Sequence, residues 1–90
     1  MELQELRQEI DRVDDELVRI YVERMELIRQ VGDWKRMHGT AVRDAKRERE
    51  LLDRVGEKAG KTYEREVREL YEFIMSQSRS RQAADSGTAD

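Results

Sequence analysis

The chain contains no cysteine and no proline. Without cysteine there is no disulfide framework and no thiolate metal site, and a reducing compartment is permitted. Without proline, nothing inside the chain forces a helix to break. No run of apolar residues approaches the roughly 20 that a bilayer-spanning helix needs, and the start lacks the apolar stretch of a signal peptide. A cytoplasmic protein with no membrane partner is therefore expected. There is one histidine, His38, beside Gly39 in an expected loop. It has no second member for a metal cluster or a Ser–His dyad, and no glycine-rich phosphate loop occurs.

What the chain does have is charge. Of its 90 residues, 43% are charged and 37% hydrophobic, with a mean hydropathy of −1.00. That balance suits long amphipathic helices with wide wet faces and is poor for a compact monomer with a large core. Acids and bases are interleaved, and the net charge is −3. Phosphate binding needs a concentrated positive field, so no nucleic-acid partner is expected.

Leu3, Leu6, Ile10, Val13, Leu17, Ile20, Leu27, Val31 and Trp34 recur in steps of three, four and, once, seven. Such a seam predicts one long first helix, about 50 Å at 1.5 Å per residue, ended near Gly39. A second, shorter helix fits "RDAKRERELLDRV", with Asp44 in its first turn and Gly56 near its end. A third, of medium length, is predicted from an N-cap at Thr62, with Val67, Leu70, Tyr71, Ile74 and Met75 on one stripe. Met25 and Met75 read as core filler, and Trp34, Tyr21 and Tyr71 as packing residues. Gly32, inside the first helix, reads as a point of close helix packing. Residues 1–82 form the expected helical domain. Residues 83–90, small and acidic without a pattern, form an expected flexible tail. Two short successors cannot cover so long a first helix. Its seam calls for a second copy, and an all-α homodimer with first helices packed together is the economical arrangement.

One position on the seam is charged. Arg24 stands where Ile20 and Leu27 call for an apolar residue. On the second helix, Glu48 lies one turn before Leu52, with Asp44 a turn earlier and Arg47 beside them. On the third, the stripe runs into Ser78 and then Gln82. Taken singly, each has a plain structural reading: a register device, a surface ion pair, a helix emerging into solvent. Three helices turning polar together point further, because buried charges need each other or a ligand. Arg7 and Lys35 flank the seam roughly 42 Å apart, at 1.5 Å per residue, too far for one small ligand to span. In an antiparallel dimer, however, Arg7 of one chain swings alongside Arg24 and Lys35 of the other. Three cations from two chains, with Glu48, Ser78 and Gln82, suit a small dianion carrying a hydroxyl group.

The chain resembles the all-helical chorismate mutases, the AroQ type. The matching stretches are "LRQEIDRVDDELVRIYVERMELIRQVGDWK", "VRDAKREREL" and "IMSQSRSRQ", which with their linkers span nearly everything from Leu3 to Gln82. The resemblance implies an intertwined dimer of three-helix chains with two sites at the subunit interface. It implies the Claisen rearrangement of chorismate to prephenate, on the route to phenylalanine and tyrosine, with no cofactor and no metal. Carried over by position, Arg24 and the partner subunit's Arg7 hold the two carboxylates. Lys35 and Gln82 donate to the ether oxygen, Glu48 takes the ring hydroxyl with Asp44 beside it, and Ser78 and Arg47 help to bind. One departure is Ala41, where the family often has proline, which touches loop stiffness rather than the site. Two other classes of protein share parts of this pattern. Isochorismate pyruvate lyase shares the scaffold but generally lacks acids matching Asp44 and Glu48. A non-catalytic dimerisation module has no reason to end a stripe with Ser78 and Gln82.

Overall fold

In a computed structural model describing residues 1–87, with side chains described through Ala83, the chain forms three helices and, among those residues, no strand. Helix α1 runs Leu3–His38, α2 Ala45–Ala59 and α3 Glu64–Gly87. The start of α1 is closed by the Glu5 carboxylate, which accepts from the Glu2 backbone N–H at 3.2 Å. Lys35, Arg36 and His38 in its last turn complement the negative end of the helix dipole. Gly39 ends it in the left-handed conformation, φ 64°, which glycine adopts without steric cost.

Helix α2 starts at Asp44, whose side chain accepts from the Arg47 backbone N–H at 3.0 Å. Gly56 falls near the end of the second helix, as its sequence suggests. Gly56 is buried inside α2, and the helix runs on to Ala59, ending at Gly60 with φ 81°. A Cβ at position 56 would lie 2.5 Å from Arg68 Nε, so the glycine makes room for a guanidinium arriving from α3. There Arg68 donates to Glu64 at 3.1 Å and Asp53 at 3.3 Å, tying α2 to α3. Hydrogen bonds to Asp53 and Glu64 raise its pKa further above its ordinary value. The third helix opens one residue later than an N-cap at Thr62 requires, with Thr62 in the preceding turn. It also continues helically to Gly87, past the expected break after Gln82. The remainder of the expected tail, residues 88–90, lies outside the described residues.

The core is small. Leu51, Val55 and Met75 are buried, with Leu52, Val67 and Tyr71 packed around them, joining α2 to α3. Helix α3 also packs along α1, whereas α1 and α2 make no close backbone approach. Met75 fills the core as expected, but Leu70, placed on the buried stripe by its spacing, is half exposed. The seam of α1 has no cover within the chain: its nine apolar residues, Leu3 to Trp34, are between 41% and 62% exposed. The chain measures 54 × 31 × 14 Å, with a radius of gyration of 16.3 Å. A globular domain of this length has one of about 12 Å.

Candidate functional site

Outside the apolar core, the buried side chains among the described residues are polar. Ser78 is 4% and Gln82 5% exposed, one turn apart on α3. Each meets a cation from α1. Arg24 Nη1 donates to Ser78 Oγ at 2.7 Å, and Ser78 donates in turn to the Ile74 carbonyl at 2.8 Å. Lys35 Nζ donates to Gln82 Oε1 at 3.2 Å and to the Val42 carbonyl in the loop before α2. The Arg24 guanidinium also lies 6.0 Å from the centroid of the Tyr71 ring, at the limit of a cation–π contact.

Close approach of α1 and α3 makes these pairs possible. A Cβ on Gly32 would stand 3.3 Å from the Gln82 Cα, so the glycine sets the separation of the two helices beside Lys35. The expectation of close packing at Gly32 is borne out, and the neighbour is a site residue. Slightly further up α1, Tyr21 donates its hydroxyl to Gln77 at 2.8 Å, a second polar tie between the helices.

Between the three helices lies a cavity of about 190 Å³. Arg24 and Lys35 line it from α1, Asp44, Arg47 and Glu48 from the start of α2, and Ser78 and Gln82 from α3. Ile28, Val31, Leu51 and Met75 supply hydrocarbon walls. Closed ligand sites run to about 300–1,000 Å³, so this cavity is of small-molecule scale and less than a whole enclosure. Seven of the eight residues singled out in the sequence therefore converge on one place. Arg7 is not among them: it lies on the exposed first half of α1, about 26 Å along the axis from Arg24 at 1.5 Å per residue.

Arg79 escaped the sequence reading. It follows Ser78, lines the same cavity, and donates from Nη1 to Glu48 Oε2 at 2.7 Å. The other carboxylate oxygen of Glu48 is 3.4 Å from Arg43 Nε. The signal was present in the spacing, since Arg79 is one helical turn beyond buried Met75 and so continues its face. A charged residue in an arginine-rich run nonetheless reads as solvated surface.

The balance of charge is specific. The cavity is lined by four cations (Arg24, Lys35, Arg47 and Arg79) and two carboxylates, in a chain whose net charge is −3. Glu48 neutralises Arg79. The partners of Arg24 and Lys35 are a hydroxyl, an amide and a carbonyl, all neutral. Two half-buried positive charges thus face the cavity with no carboxylate paired to either among the described residues. His38 is exposed, stacked on Trp34 at 3.9 Å between ring centroids. Among the described residues no group of side chains is arranged to hold a metal ion, and no helix is long and apolar enough to cross a membrane.

Helical frame and cation placement together define an all-α protein whose three helices converge on a cation-lined pocket. The chain belongs to the chorismate mutase type II family, whose model matches residues 6–83. It is 39% identical over 54 residues to a bifunctional chorismate mutase/prephenate dehydratase of Aquifex aeolicus, an alignment covering 60% of this chain and 15% of that protein. It is 42% identical over 50 residues to the T-protein of Haemophilus influenzae, covering 56% of this chain and 13% of that one. The chain thus matches only about one seventh of the length of these curated relatives. No solved structure gives a significant match.

Proposed function

We propose that this chain rearranges chorismate to prephenate, working as a homodimer in which the partner subunit's Arg7 completes each site. The observation that carries the reading is the pair of unneutralised cations, Arg24 and Lys35, set over hydrocarbon walls beside Ser78, Gln82 and Glu48. Chorismate is a dianion with one ring hydroxyl, and its two carboxylates supply the charge that the pocket lacks. Arg24 binds one carboxylate in fork geometry, which a lysine cannot match. The partner's Arg7 binds the other.

The reaction is intramolecular: the ether C–O bond breaks while a C–C bond forms between the enolpyruvyl arm and the ring, and no atom is gained or lost. No nucleophile or general base is called for. Holding both carboxylates folds the arm over the ring and removes much of the entropic barrier. Negative charge builds on the ether oxygen as its bond stretches. Lys35 Nζ meets that charge, and a fixed ammonium stabilises it more in the transition state than in the ground state. Gln82 joins through its amide nitrogen. Its Oε1 already accepts from Lys35, which leaves the NH₂ group to donate. Glu48 accepts from the ring hydroxyl. This chemistry requires no cofactor.

The dimer is supported by the surface. The chain exposes 7301 Å², whereas a folded monomer of 10.7 kDa exposes about 5,500 Å². The excess, roughly 1,800 Å² per chain, is of the size that obligate homodimers bury, and the seam of α1 supplies apolar surface for it. A cytoplasmic location goes with the proposed biosynthetic role.

The test is to add chorismate and follow loss of its ultraviolet absorbance, then identify the product. Prephenate is expected. Inert chorismate, with isochorismate converted to salicylate and pyruvate, would replace this reading with the lyase. Neither reaction would leave a helical dimerisation module.

A further inference from the structure

Helix α3 presents two consecutive side chains to two different partners: Ser78 to Arg24 on α1, and Arg79 to Glu48 on α2. The first contact grips a cation and the second a carboxylate. Glu48 is 15% exposed and Arg79 32%, so their 2.7 Å bond is shielded from water on most sides. Arg43 also reaches Glu48, but at 3.4 Å and 65% exposed, where solvent screens it. Of the two arginines, Arg79 therefore dominates the orientation of the carboxylate.

A lone glutamate on a helix explores several rotamers, and a hydrogen-bond acceptor aimed at one substrate atom cannot. A carboxylate has about four lone-pair positions, so one charge-assisted bond to Arg79 leaves others directed at the cavity. The same bond also cancels the positive charge of Arg79, which keeps that guanidinium from competing with Arg24 for a substrate carboxylate.

We propose that Arg79 is a positioning residue that holds the Glu48 carboxylate in place for the ring hydroxyl of the substrate. This rests on the chorismate reading above. It follows that Arg79 acts on one substrate group only. The hydroxyl is recognised through it, while the carboxylates and the ether oxygen are served by other residues.

The experiment compares chorismate with its analogue lacking the ring hydroxyl, on wild type, Arg79→Ala and Arg79→Lys, with circular dichroism on each variant. Loss of one partly shielded charge-assisted bond should lower kcat/KM for chorismate about tenfold in Arg79→Ala. The hydroxyl-free analogue should be turned over by Arg79→Ala within about twofold of wild type, since it makes no bond to Glu48. Arg79→Lys, which keeps the charge, should recover much of the chorismate rate. If Arg79→Ala does not fold, Arg79→Gln keeps the stem and carries the same comparison. Equal losses on both substrates, or no loss on chorismate, would overturn the positioning role. Wild type inert toward chorismate would instead overturn the function on which it rests.

Discussion

Gly32 and Gln82 approach so closely that a Cβ on the glycine would sit 3.3 Å from the Gln82 Cα and 3.4 Å from its Cβ and Cγ. One hydrogen atom on α1 thereby fixes the distance between two helices where a lysine must reach a glutamine. In Gly32→Ala, the added methyl gains about 1 kcal/mol of helix propensity and pushes Gln82 away by a few tenths of an ångström. The two effects oppose each other in stability and not in activity. The melting temperature should change little while kcat falls severalfold. Gly32→Val, bulkier and β-branched, should lower both. Thermal melts beside steady-state kinetics check the pair.

In the proposed reaction, Lys35 is the group that meets charge existing only in the transition state. Lys35→Ala should reduce kcat by about 100-fold or more, the scale of losing one preorganised donor, while a folded dimer persists. Lys35 is not part of the apolar core of Leu51, Val55 and Met75 and the residues packed against it. Near-normal kcat would remove Lys35 from the chemistry.

Arg7 and Arg24 belong to one chain but, in the proposed dimer, to different sites. Neither Arg7→Ala nor Arg24→Ala homodimers should be active. Mixing and re-associating the two should give heterodimers with one site intact, carrying Arg24 of one chain and the other subunit's Arg7, and one doubly damaged. Activity per heterodimer should approach half that of wild type. A confirmed heterodimer without recovery would defeat the shared site.

The apolar seam makes its own claim. Leu17 is 59% exposed in the single chain, so Leu17→Glu leaves the described intrachain core of Leu51, Val55 and Met75 untouched. At a dimer seam the same change buries an unpaired charge, costing several kcal/mol. Sedimentation should show loss of the dimer, with activity lost alongside it. A dimer of unchanged affinity would move the interface elsewhere.

The helices were legible because an apolar residue every three or four positions is a local signal, and glycines at 39 and 60 punctuate it. What escaped was contact between distant segments. Gly56 reads only as a residue near a helix end, and the arrival of Arg68 from α3 shows why it must be glycine. Leu70 sits on the apolar stripe by spacing, yet in the single chain it is half exposed. Five of the residues that line the cavity, Arg24, Asp44, Glu48, Ser78 and Gln82, stood out as polar groups where a stripe demanded hydrocarbon, and Arg47 and Lys35 stand beside such positions. Arg79 broke no such rule in so basic a run, and its role depends on the 2.7 Å bond to Glu48 across 31 positions of sequence. Arg7 was reached by arguing about two chains, and a single chain leaves it apart from the others.

The first half of α1 extends beyond anything its own chain can offer it. If a second copy supplies that missing support, adopting the native shape and finding a mate are one event rather than two. Heat resistance should then rise with protein concentration. Turnover per milligram should fade on extreme dilution, as orphaned subunits forfeit both their scaffold and the guanidinium lent by their neighbour.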